Sequence, residues 1–440
     1  MKLLPVFILL ALCITCTTIV GALEPDAISH TPPNSSETSF DVDTYQIPEL
    51  KFDSTQQPII ITDELKPTQQ PKSSARNLDT PTEPSDIPYG SIVYHSSNNG
   101  ILTTTAFDSK GTQIFTTTDN TAALVTTPQG EKPATAVHEI PSGSVVYERN
   151  GNTYVTYNNS VILALIYNQT ATNTTNTIPR IDTGSVPTPP SKTGWNTLGF
   201  FLGWITYTED TVTNGLDIFT ADWNAPAATP ENTISREALA IFIGIEHDGT
   251  PKTDGIIQPV LMWNFCKTNS TPKDPGPHKE YSAAAWDFHN IPTNTTNYDQ
   301  LLHSTPIVIS PGTIVHGTIE KPPLSNTWTV SIEEKNDKTK KTYFSTSRYP
   351  SSLKWKLHIV TEATGAGIKN LSNSLPRGTI SFTNIYAGRL ATRIDLPYEP
   401  YIHPEASNKI SKFKIDIMKT CNGNGCSPTT VNGVNIYFTR

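Results

Sequence analysis

The chain has 440 residues, 36% of them apolar, and a formal net charge of −8. That length suits two or three domains with at least one large core. The acidic balance leaves no electrostatic footprint for nucleic acid, because the one lysine-rich run, Lys335–Lys341, is interrupted by Asp337 and reads as a solvated hairpin tip.

In chain order, Met1-Lys2 precedes an apolar run from Leu3 to Cys16, and Val20-Gly21-Ala22 offers a signal-peptidase site. Residues 1–22 are therefore expected to be a signal peptide, and the mature protein to be secreted or held at the cell surface. No later run approaches the roughly 18–20 apolar residues that span a bilayer, so no transmembrane helix is expected in the mature chain. Two of the five cysteines, Cys13 and Cys16, leave with the signal. Cys421 and Cys426, in CNGNGC, can close a small disulfide loop in an oxidising compartment, while Cys266 is left as a buried thiol. No cysteine or histidine spacing matches a zinc site, and no cofactor motif is present. Sequons at Asn34, Asn158, Asn168, Asn173, Asn269, Asn294 and Asn370 fit a glycosylated extracellular surface.

Residues 23–86 are rich in Pro, Thr, Ser and Gln, too poor in apolar area to offset their ordering entropy, and are expected to be a disordered leader. Residues 87–167 read as a small all-β module. In it Ile87-Pro88-Tyr89-Gly90-Ser91-Ile92-Val93-Tyr94 is echoed by Ile140-Pro141-Ser142-Gly143-Ser144-Val145-Val146-Tyr147, each a Pro-X-Gly turn feeding a β-branched strand. A Thr/Asn/Pro tract at 168–194 has linker composition. From 195 to 386 short β-rich runs recur between turns, from Trp204–Thr208 and Leu216–Trp223 through Lys354–Val360 and Thr379–Thr383, with no helical period. An antiparallel β-sandwich is expected there, and residues 387–440 form a C-terminal extension.

The middle of that domain is Leu239–Phe265, two apolar runs around a loop holding Asp248, Gly249, Pro251, Asp254 and Gly255. They read as adjacent core strands. The second carries Gln258 among Ile256, Ile257, Val260 and Leu261. A buried amide must find partners or cost about 1–3 kcal/mol, so Gln258 is either a structural side chain bonded to nearby backbone or a functional one.

The order of short motifs carries a family resemblance. Asp222-Trp223-Asn224-Ala225-Pro226, Phe242-Ile243-Gly244-Ile245 with Asp248-Gly249, Ile256-Ile257-Gln258, Tyr281–Trp286, Ser310-Pro311-Gly312-Thr313-Ile314, Ile359-Val360-Thr361-Glu362 and Gly378–Phe382 fall in the order of the motifs of the eqolisins, the glutamic peptidases. The resemblance covers roughly 195–385 and leaves the first half of the chain untouched. It implies a concanavalin A-like sandwich, a polypeptide substrate, no cofactor, and Gln258 and Glu362 as the catalytic pair. Two departures stand out. Glu362 lies one place later than the family's Ile-Val-Glu allows, and one residue flips a side chain to the other sheet face. Trp286-Asp287-Phe288 lacks the family's Glu.

In that chemistry a carboxylate takes a proton from water and returns one to the leaving amine, while an amide donor stabilises the oxyanion. Trp223, Trp263 and Trp286 are candidate walls of the substrate groove. Two other readings stand beside the acid peptidase: a non-catalytic extracellular β-sandwich that binds glycan or a surface by stacking on those aromatics, and a structural or adhesive envelope protein.

Overall fold

The computed structural model describes residues 50–52, 58–60, 87–98, 101–108, 111–118, 122, 124–149, 151–158, 160–167, 199–208, 216–227, 238–248, 255–263, 280–292, 297–322, 325–349, 354–364, 378–389, 392–393, 399–401, 412–420 and 430–439. The expected signal peptide, the 168–194 linker, Cys266, Cys421 and Cys426 lie outside them. Within the expected leader, Leu50–Phe52 and Pro58–Ile60 are strands that pair antiparallel.

The fold is an all-β sandwich. Among the described residues the larger sheet has 14 strands. It runs from Lys412–Thr420 and Thr430–Thr439 through Gly378–Arg389, Ile218–Asn224, Ile314–Glu320, Trp328–Glu334 and Asp337–Thr346. It then continues through Ser144–Arg149, Asn152–Tyr157, Ser160–Tyr167, Ser91–Asn98 and Ile101–Phe107 to Gln113–Thr118, with Thr392–Arg393 also paired on Gly378–Arg389. The second sheet has 9 strands. Its order is Glu399–Tyr401, Gly199–Thr208, Lys354–Thr364, Ala238–Asp248, Gly255–Trp263, Tyr281–Pro292, Asn297–Ser304 and Val137–Ile140, with Ile307–Ile309 also paired on Tyr281–Pro292.

One apolar core lies between the sheets. Phe219, Ala221, Trp223, Val315, Ile319, Val330 and Ile332 enter it from the larger sheet, and Ile241, Ile243, Ile257, Leu261, Trp263, Tyr281 and Ile359 from the smaller. Ile314–Glu320 alternates buried and partly exposed positions, as a strand covered on one face should. Gly255–Trp263 is buried at nearly every position, because both of its faces are covered, and that is why its sequence is a near-continuous apolar run.

The repeated Pro-X-Gly segments form the same turn twice. Gly90 and Gly143 have φ of 84° and 91°, and Ser91 Oγ and Ser144 Oγ donate to Pro88 O and Pro141 O at 2.6 and 2.7 Å. The second turn takes the chain from Val137–Ile140, in the smaller sheet, to Ser144–Arg149, in the larger. There Val137–Ile140 pairs parallel to Asn297–Ser304, and Ser144–Arg149 parallel to Asp337–Thr346. A buried polar network backs this junction. Arg348 Nη2 donates to Thr153 Oγ1 at 2.7 Å and Arg348 Nη1 lies 3.6 Å from Asp287 Oδ2, while Tyr349 Oη donates to Asp287 Oδ1 at 2.6 Å.

Candidate functional site

The smaller sheet presents a second face, turned away from the sandwich core. Side chains alternate along a strand, so even-numbered positions of Ala238–Asp248, Gly255–Trp263 and Lys354–Thr364 share it. Ala238, Ala240, Phe242, Val260, Met262, Ala284, Trp286, Leu301 and Val360 make a separate apolar cluster there. Val125 and Ala134, from the hairpin of Leu124–Thr127 with Gly130–Pro133 and the 3-10 turn that follows, join the same cluster. Lys132 of that hairpin is buried, bonds Asp299 at 2.5 Å and sits 5.5 Å from the centroid of the Phe288 ring. The hairpin therefore packs against the face.

Gln258 lies on this face, fully buried, and neither its Oε1 nor its Nε2 has a hydrogen-bond partner. The ladder beside it is interrupted. Ala238–Asp248 pairs with Gly255–Trp263 at Phe242–Val260 and again at Ile245–Ile257, with no pair between. Pro259, which has no N–H to donate, stands in the gap. Gly244 faces Gln258 across it: a Cβ on Gly244 would lie 3.6 Å from Gln258 Cβ and only 2.9 Å from Ile256 Cδ1.

Across the strands Gln258 begins a row of functional groups. On one side Trp286 is its partner, then His303, whose ring lies 4.6 Å from that of Trp286, then Glu139. His303 Nδ1 lies 3.0 Å from the Ser304 carbonyl, a bond that puts the ring proton on Nδ1. Burial lowers the His303 pKa to about 4, so the ring is neutral near neutral pH. On the other side, beyond Gly244, stands His358. Its Nε2 is 2.7 Å from Glu246 Oε2, and the Glu246 side chain is 42% exposed, so solvent reaches this end of the row.

Glu362 is on the same face but in a different row, opposite Ala240, itself opposite Met262. The Ala238–Asp248 strand lies between Glu362 and Gln258. Generic strand spacings put their Cα atoms about 10 Å apart across the sheet and about 13 Å along it. Glu362 is buried, and its Oε2 has no hydrogen-bond partner. Burial pushes its carboxyl well above the ordinary range, opposed by the charge of Lys132.

No family model matches the chain, and no curated protein matches it. Among solved structures, the crystal structure of scytalido-glutamic peptidase with a peptide-based transition state analog is similar over 56% of this chain and 99% of that one, at 14% identity and a TM-score of 0.33.

The other expected residues separate by parity. Trp286 lies on the Gln258 face, but Trp223 and Trp263 lie in the core between the sheets, as odd-numbered positions of their strands must. All three are buried and none presents an open ring to solvent. Asp287 points into the core, where it accepts from Tyr349 and Thr346. His358, Glu246 and His303 carry no local motif. Their signal is alternation: each shares the side of its strand that the pairing gives to Gln258. Among the described residues no cluster of three or more His, Cys, Asp or Glu is placed to hold a metal ion, and no helix is long and apolar enough to cross a membrane.

Proposed function

We propose that the chain is a secreted hydrolase of polypeptides working on this sheet face, with Gln258 as oxyanion donor and Glu362 as the proton-transferring carboxyl. The observation that carries it is the Gln258 amide, wholly buried with both polar atoms unbonded, on the same face as a carboxyl whose pKa burial raises well above the ordinary range. Such an amide costs about 1–3 kcal/mol of stability per unbonded group, and a catalytic role is one explanation for keeping it. A carboxyl that keeps its proton above the ordinary range is suited to protonate a leaving amine. The apolar opening segment supports secretion. With all three candidate tryptophans buried, aromatic stacking on sugar rings has no platform among them.

The strand register favours a second assignment of the proton carrier. His358, paired with Glu246, stands in the Gln258 row with only Gly244 between, so the two side chains can converge over a position that has none. Casein digestion across pH by the mature chain and three variants decides between them. Gln258→Ala is expected to lower turnover by roughly two to three orders of magnitude in either case. Loss in Glu362→Gln with His358→Asn active supports the first reading. Loss in His358→Asn with Glu362→Gln active supports the second. Full activity in Gln258→Ala sinks both.

A further inference from the structure

The outer face of the larger sheet holds a second constellation, on the far side of the sandwich from Gln258. Asp222, on Ile218–Asn224, is buried although its strand neighbours Thr220 and Asn224 are half-exposed. Its Oδ1 accepts from His316 Nδ1 at 2.6 Å, and its Oδ2 from Lys335 Nζ and Asn384 Nδ2, both at 2.6 Å. Burial alone would raise this carboxyl, but those three donors outweigh it and hold the pKa well below the usual range.

An ionised carboxylate can only accept, so the shared proton sits on His316 Nδ1, and in the neutral imidazole Nε2 is then the acceptor. Two hydroxyls reach that lone pair, Thr318 Oγ1 at 3.1 Å and Thr220 Oγ1 at 3.2 Å. Thr220 gives its proton to the Gly317 carbonyl at 2.8 Å. The hydroxyl left to donate to the imidazole is Thr318. The His316 side chain is 31% exposed.

We infer that Thr318, His316 and Asp222 form a hydroxyl–imidazole–carboxylate relay that makes Thr318 Oγ1 a nucleophile toward small, activated acyl esters. The ester class follows from the setting: the hydroxyl stands on an open strand face, which suits a small acyl group with a good leaving alcohol better than an extended peptide. Thr318 Oγ1 attacks the ester carbonyl carbon and its proton passes to His316 Nε2. The bond to the leaving alcohol oxygen breaks and that oxygen takes the proton back from the imidazolium. Water then gives a proton to Nε2 and attacks the threonyl ester, releasing the carboxylic acid and restoring the Thr318 hydroxyl.

The test treats the mature chain with a fluorophosphonate, which traps activated hydroxyls, and locates the adduct by peptide mass spectrometry. A burst of p-nitrophenol from p-nitrophenyl acetate is followed in parallel. Expected is an adduct on the peptide containing Thr318, absent in the isosteric Thr318→Val, retained in Thr318→Ser, and slowed at least roughly a hundredfold in Asp222→Asn, which disturbs the tautomer. Thr329→Val, which removes a hydroxyl on the same sheet that pairs with Ser345 rather than with an imidazole, should label as the parent does. Labelling undiminished in Thr318→Val, labelling at another residue, or no adduct in protein whose circular dichroism shows an intact fold overturns the relay.

Discussion

A carboxyl wholly removed from water holds its proton more tightly than the same group in the unfolded chain, and Glu362 is such a group. Its folded pKa is raised, so its contribution is fully present below about 4.3 and is lost as pH rises toward the folded value. Glu362→Gln imitates the protonated form. The variant is expected to match the parent near pH 4 and to exceed it at higher pH, the gap widening by about 1.4 kcal/mol per pH unit until Glu362 itself ionises. Urea unfolding of both proteins at pH 4, 6 and 8 measures it. A parent as stable as the variant at every pH would show that Glu362 is solvated. The same substitution is the one expected to cost activity, which is the usual relation between a strained functional group and stability.

At the scale of elements, the Pro141–Gly143 turn passes the chain from one sheet to the other, and its Gly143 φ of 91° is one that L side chains rarely adopt. A Cβ there would also lie 3.2 Å from the Tyr343 hydroxyl oxygen. Gly130, in the hairpin against the Gln258 face, has a φ of 93° with nothing within 4 Å of a Cβ. Both Gly→Ala variants therefore carry backbone strain of about 1–2 kcal/mol, and only Gly143→Ala adds crowding. Thermal denaturation should rank parent, Gly130→Ala, then Gly143→Ala. The reverse order would mean that Tyr343 yields freely and the hairpin does not.

For the molecule as a whole, buried histidines act against the buried carboxyls. Burial lowers the pKa of His138 to about 3, aided by the charges of His303 and Arg348, and lowers those of His303 and His95 as well. A depressed histidine pKa means that the unfolded chain takes up a proton below about pH 6.5 that the folded chain refuses. Stability from each is therefore present above that pH and lost on descent toward the folded value, while Glu362 and Asp287, both raised by burial, contribute in the opposite sense. The two contributions oppose each other over the same interval, so the histidines set the acid limb of the stability profile and the buried carboxyls its alkaline limb, with the peak toward the upper end of the histidine range. His138, with neither ring nitrogen hydrogen-bonded, is the cleanest probe. Replacing it by Leu should move the peak to lower pH, by about 1.4 kcal/mol of added stability per unit between 6.5 and 4. A peak that stays in place would show that His138 charges without unfolding. The same profile limits how acidic a working pH the proposed hydrolase tolerates.

Much of this was legible in the chain itself. Short β-branched runs between turn residues specify strands because alternation and β-propensity are local properties, and the strand at 255–263 announced its burial by being apolar on both faces. The Pro-X-Gly repeat was equally plain, since only glycine takes the φ that its turn requires. The strand at Asn297–Ser304 was not legible: its polar residues Gln300 and His303 fall on opposite faces, breaking the alternation of a half-buried strand, and only the fold buries both. Nor was the company each functional side chain keeps. Parity along a strand can be read from sequence, but register between strands is set by long-range pairing. Register is what puts His358 rather than Glu362 in the row of Gln258, and brings Asp222 to His316 from 94 residues away. Covering is likewise a tertiary decision, because whether Glu362 meets water depends on a hairpin that enters the chain more than two hundred residues earlier.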